Sequence, residues 1–231
     1  MASSSAIEEV SPFDPPWRMT GDGSLPRIGH PSLYRNFPQQ ARSRMSAAAI
    51  LSAACTLSRE AGVSHIDDVA RRVGLSKAAL YRFFTDDHAL RMALASQELE
   101  LYLDAMTDAL HQNSYARWQD VVLAHAAIRC EAYRTRSGPA LVSERYGPES
   151  NESEIIAEYL LSEITLRFAD ALVPADALHR IEVAIRLIDA VIERALANDS
   201  TAMDSAVCES RVIADRYLTR PVSRRSRPLA V

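Results

Sequence analysis

From Gln40 to about Tyr217, apolar residues return at three- and four-residue steps, and no stretch alternates apolar with polar for long enough to make a strand. That periodicity restricts the chain to an all-α fold. In the first segment Met45, Ala49, Ala53 and Leu57, with Ile50, Ala54 and Ala61, outline one helical face, and Gly62 ends it in the usual left-handed cap role. Ser64, with Asp67 three residues on, reads as an approximate capping box that starts a second helix. Asp86 or Thr85 can cap a long helix that runs to about His111 through Leu90, Leu94, Leu101 and Leu110. Further helices are expected at about 115–135, 151–172, 176–198 and 201–219. Their separators are Ser137-Gly138-Pro139, Gly147-Pro148, Pro174 and Asn198-Asp199-Ser200, all turn chemistry. The low aromatic share of 6% and the 7 glycines in 231 residues suit helices better than sheets.

Upstream of this pattern the chain behaves differently. Residues 1–39 hold 6 of the 11 prolines and 3 of the 7 glycines and show no hydrophobic period, so they read as a flexible Pro-rich arm. The alternative is that Trp17, Leu33, Tyr34 and Phe37 anchor part of it on the body. Charge is also divided by region. Residues 40–91 are net +3, residues 92–215 net −11, and the tail 216–231 carries 5 Arg and no acid. A basic module joined to an acidic body is the asymmetry expected where one end meets a polyanion. The expected organisation is an arm at 1–39, a helix-turn-helix domain at 40–85, a helical body at 86–219 and a basic tail at 220–231.

The run Ile66 to Thr85 carries the functional reading. Two helices that cross steeply through a short turn need a small residue at the crossing, Ala70, and a residue tolerant of positive φ at the turn, Gly74. Leu75 is expected to plug the turn. Leu80 and Phe83 face back onto Val69 and Val73, and Ser76 is placed to cap the second helix. Ser76, Lys77, Ala78, Tyr81 and Arg82 remain outward. Lys77 can donate to guanine acceptors or phosphate, Ala78 permits close approach to a thymine methyl, and Tyr81 and Arg82 suit phosphate. Arg42 and Arg44, together with Arg35, are candidates to reach phosphate or the minor groove from the N-terminal side; a solvated basic linker is the alternative.

The run Val69 to Phe84, followed by Ala89-Leu90, resembles the DNA-binding domain of TetR-family regulators, as does the preceding helix with Arg42, Ile50-Leu51, Ala53-Ala54, Leu57 and Glu60-Ala61-Gly62. The resemblance covers about residues 42–94. It implies an N-terminal three-helix DNA-binding domain and a C-terminal helical effector-binding and dimerisation domain, working as a homodimer on a palindromic double-stranded operator. It also implies that Tyr81 holds phosphate and that Lys77 and Ala78 lie nearest the bases. The chain departs from the family pattern at Ala79, where Thr is common, and at Asp87, where Lys is common. Asp67 and Asp68 stand where neutral or basic residues are usual, and the connection from Gly62 to Val69 is about two residues short.

In the body, Ile181, Ala184, Ile185, Ile188, Val191, Ile192 and Ala195 form one apolar stripe and Met203, Ala206, Val207, Ser210, Ile213, Ala214 and Tyr217 another. Such stripes serve either a subunit core or a dimer interface. Trp118, His125, Arg129 and Tyr133 share a helix face and are the candidate grip for an unknown small-molecule effector of acidic or carbonyl character. An effector would act by differential affinity, favouring an arrangement in which the fourth helix swings the two heads out of register. The three cysteines (Cys55, Cys130, Cys208) lie far apart and read as reduced core residues. No catalytic motif, metal site, cofactor, membrane span or secretory signal is expected, which fits a cytoplasmic regulator that represses until its ligand binds. The rival readings are a helical enzyme, a nonspecific DNA binder, and a protein-interaction module without an effector. Against the enzyme, Asp176-Ala-Leu-His179 is the only tempting acid–His spacing, and it reads as a helix start.

Overall fold

The computed structural model describes residues 27–61, 65–135, 152–168, 173–198 and 202–220. Expectations at Gly62, Ser64, Ser137 to Pro139, Gly147-Pro148, Asp199-Ser200 and the tail beyond Arg220 lie outside these residues. Among them the chain forms a short 3-10 turn, Pro31–Leu33, and eight α-helices with no strand. The helices are α1 Ala41–Ala61, α2 Ile66–Val73, α3 Lys77–Leu80, α4 Asp87–Gln112, α5 Trp118–Thr135, α6 Glu152–Arg167, α7 Ala177–Asn198 and α8 Met203–Thr219. None is long and apolar enough to cross a membrane. The chain divides into two compact units, Met1–Asn113 with Glu131–Glu152, and Ser114–Cys130 with Ser153–Val231.

In the first unit the buried side of α1 is Ala47, Ala48, Ile50, Leu51, Ala53 and Ala54. Met45 is 38% exposed and Ala49 is also exposed, so the buried stripe is rotated from the expected one. An alanine-rich helix carries little contrast between its faces, which is why its period misleads. Ile66, Val69, Ala70, Leu80, Phe84, Leu90, Ala93 and Leu94 complete this core. Phe84 is fully buried and Phe83 only partly, the reverse of the weight the sequence reading gave them. The helix α4 belongs with this unit rather than with a body beginning at 86. Its residues Leu90, Ala93 and Leu94 lie in this core, and its carboxylate Asp87 reaches α2.

Two residues of the expected arm are part of the same core, Ile28 and Tyr34. The segment 27–38 is therefore not a flexible arm. Gln97 Nε2 donates to the Arg27 carbonyl at 2.6 Å, and the His30 N–H to Ser96 Oγ at 2.9 Å. Arg27 pairs with Asp104 at 2.9 Å. Gly29 has φ +82°, and a Cβ there would meet the Ala93 carbonyl oxygen at 2.7 Å. The backbone is thus pressed against α4 where only glycine fits. The Tyr34 hydroxyl donates to the Ile28 carbonyl, and its ring lies 4.9 Å from Phe84 and 5.5 Å from Phe37. Burial pushes the Tyr34 hydroxyl well above the usual phenol range.

In the second unit α7 and α8 pack together. Ile181, Ala184, Ile185, Ile188 and Ile192 are buried, as are Met203, Ala206, Ser210 and Ala214, so most of both stripes is used within the subunit. Arg180 is buried, and its guanidinium donates to the Tyr217, Leu218 and Arg220 carbonyls at 3.0, 2.8 and 2.7 Å. It satisfies the carbonyls that every helix C-terminus leaves open, with its charge at the favourable end of the dipole. Asp176 precedes α7, and its carbonyl accepts from the Arg180 N–H at 3.0 Å, which makes it a helix start. All three cysteines are free, but Cys208 is exposed and is not a core residue.

Candidate nucleic-acid interface

The turn between α2 and α3 follows from two local residues. Gly74 takes φ 68°, ψ 26° and ends α2, its N–H directed to the Ala70 and Arg71 carbonyls. Ser76 then caps α3, its hydroxyl accepting from the Ala79 N–H at 3.2 Å. Leu75 stays 37% exposed rather than plugging the turn, and the buried residues flanking the turn are Ala70 and Leu80. The regular part of α3 is a single turn, with Tyr81 to Phe83 continuing as a turn anchored by Phe83 and Phe84 N–H bonds to the Leu80 carbonyl.

Ser76, Lys77, Ala78, Tyr81 and Arg82 are all exposed, Tyr81 at 41%, while Leu80 and Phe84 are fully buried. One side of the element is fixed in the core and the other is presented. Arg42 is exposed at the start of α1. Arg44 is half-buried instead, its guanidinium 5.5 Å over the Phe37 ring, which takes it away from the outward set.

Acids temper the cations of this surface. Lys77 is ion-paired with Asp67, Arg71 with Asp68 at 3.0 Å, and Arg72 with Glu60 at 3.0 Å. The pairing with Arg72 holds the Glu60 carboxyl below its usual range. These contacts give Asp67 and Asp68 a role that residue spacing alone did not reveal.

Asp87 was legible only as a departure from a resemblance. Its Oδ1 accepts from the Ile66 N–H at 2.8 Å, and its Oδ2 lies 2.8 Å from His65 Nδ1. His65 is the cap residue of α2 and supplies no side-chain cap, so α4 provides the missing acceptor. The hydrogen bond that the His65 ring donates to Asp87, then the charge of that carboxylate, raise the His65 imidazole above its ordinary value. Partial burial works against the Asp87 carboxylate, but His65 and the Ile66 N–H outweigh it and hold Asp87 low.

The residues expected to grip an effector lie on α5. Trp118, His125, Arg129 and Tyr133 are all buried. His125 Nε2 is 3.1 Å from Asp189 Oδ1, and Arg129 Nε donates to the same oxygen at 3.0 Å. Asp189, on α7, is the acid these two groups engage. Burial opposes its charge, yet Arg129 and His125 hold it below the usual carboxylate range. Trp118 stands at the start of α5, and Tyr133 lies beyond Cys130, outside this compact unit. Among the described residues no cluster of His, Cys, Asp and Glu could hold a metal.

No protein-family profile matches the chain, and no curated protein sequence does either. Among solved structures it is similar to a TetR-family transcriptional regulator from Streptomyces coelicolor, at 22% identity and a TM-score of 0.62. The match covers 74% of this chain and 95% of that one. The likeness shows that the all-helical fold is that of such a regulator.

Proposed function

We propose that a chain with this fold and an exposed helix-turn-helix is a sequence-specific, DNA-binding transcriptional regulator of the TetR family. The observation that carries the reading is the division of α3 and its following turn. Leu80 and Phe84 are fully buried, while Ser76, Lys77, Ala78, Tyr81 and Arg82 face solvent. A short element held so firmly from behind can enter a major groove without deforming. In this reading Lys77 and Ala78 meet base edges, Ser76 caps the element, and Tyr81, Arg82 and Arg42 hold phosphate. One such element reads too few base pairs for specificity, so the working unit is a homodimer on a palindromic operator. The two-fold face is formed by α7 and α8, whose outer side shows Val212 at 52% and Ile213 at 43% exposure.

Repression relieved by a small molecule in the second unit, in the cytoplasm, completes the proposal. Trp118, His125 and Arg129, all within that unit, are its candidate contacts. A second reading, a DNA-binding or protein-interaction module without an effector, is favoured by Asp189, which already engages His125 and Arg129. The test is enrichment of a randomised duplex pool on the purified chain, followed by footprinting. A palindromic consensus is expected, lost in Lys77→Ala and Tyr81→Ala. Recovery of duplexes without any shared sequence would refute a specific regulator and leave a nonspecific binder.

A further inference from the structure

We infer that the N-terminal segment 27–38 is part of the DNA-binding surface and delivers Arg35 beside the end of α3 as an additional phosphate contact; this rests on the DNA-binding reading above. The Arg35 backbone N–H donates to the Phe83 carbonyl at 2.7 Å. Next to it, Asn36 Nδ2 donates to the Arg82 carbonyl at 2.9 Å. Both bonds attach the segment to the stretch that directly follows Tyr81. Phe37 and Tyr34 hold it from behind, against Arg44 and Phe84. The Arg35 side chain itself is exposed.

Of the basic residues in this unit, several are already committed. Arg27 belongs to Asp104, Lys77 to Asp67, Arg71 to Asp68 and Arg72 to Glu60, while Arg44 lies over Phe37. Among the described residues, Arg35, Arg42 and Arg82 are in no ion pair. A phosphate that approaches Arg82 therefore meets Arg35 on the neighbouring backbone, with no carboxylate to displace. Holding the backbone by two hydrogen bonds also lowers the ordering cost of the contact, compared with an arm that must be immobilised on binding.

The experiment uses the full chain and the duplex enriched from the randomised pool, with affinity measured over a range of salt. Arg35→Ala weakens binding roughly threefold and lowers the slope of log affinity against log salt by about 1, equally for every duplex sequence. Arg35→Lys keeps the slope, since phosphate needs only the charge. The thermal midpoint stays that of the parent in both variants. If Arg35→Ala keeps the parent's affinity and slope while Arg82→Ala loses both, this inference is overturned and the DNA-binding reading stands. If the parent enriches no duplex at all, both are overturned.

Discussion

His65 and Asp87 are 22 positions apart in sequence and 2.8 Å apart in space, and their pairing makes a titration that can be followed. The folded-state value of His65 lies above its ordinary 6.5. Its contribution to stability is therefore complete below a pH of about 6.5 and is lost as pH rises through the raised value. Asp87, held below its ordinary 3.8, contributes above that pH and loses its part as pH falls through the lowered value. An NMR titration of the His65 ring should give a midpoint above 6.5 in the parent and one back near 6.5 in Asp87→Asn. Equal midpoints would remove the pair. Residues whose role is local were legible beforehand: Ser76 as a cap, Gly74 as the turn, and Asp86 or Thr85 as the cap of α4, of which Asp86 serves, accepting from Ala89 at 2.7 Å. Residues whose partners come from another element were not. The spacing of Asp87, Asp67 and Asp189 says nothing about which cation each will meet.

At the scale of elements, the two positive-φ glycines offer a contrast. Nothing lies within 4 Å of a Cβ built on Gly74, so Gly74→Ala bears only the cost of a left-handed residue, about 1 kcal/mol. Gly29→Ala meets that cost and also the Ala93 carbonyl at 2.7 Å, so the segment must lift from α4. Its loss should be roughly 2 kcal/mol or more. Urea unfolding of both variants measures the difference; equal losses would mean that the segment is not tightly held. The helices themselves could be read from the three-to-four-residue period to within a few positions. The docked segment could not, because it packs through single residues, Ile28 and Tyr34, with no period to detect. Its signal was the group Trp17, Leu33, Tyr34 and Phe37, of which Tyr34, Leu33 and Phe37 do pack on this core, but isolated apolar residues among prolines favoured the flexible arm.

For the whole molecule, the architecture followed from helical periodicity together with one resembling stretch, and the division into units did not. Sequence set the boundary at the end of the helix-turn-helix, whereas α4 belongs with the residues before it. The proposed assembly makes a prediction at this scale. Val212 and Ile213 are exposed apolar residues on α8, so Ile213→Asp should yield a monomer in sedimentation velocity where the parent runs as a dimer. The monomer should keep its helical circular dichroism, since Ile213 is not part of the subunit core. A parent that sediments as a monomer would refute the dimer.

The 26-residue helix α4 holds its own unit at two places. Asp87 in its first turn grips α2, and Ser96 and Gln97, about 15 Å further along, grip the chain that leads to Arg35 and α3. Sliding by even one residue, about 1.5 Å with a 100° roll, would break both holds together. The helix and everything bolted to it must then travel as a single solid lever. In the regulator proposed above, a push on that shaft would re-aim the fingers at its tip without bending them.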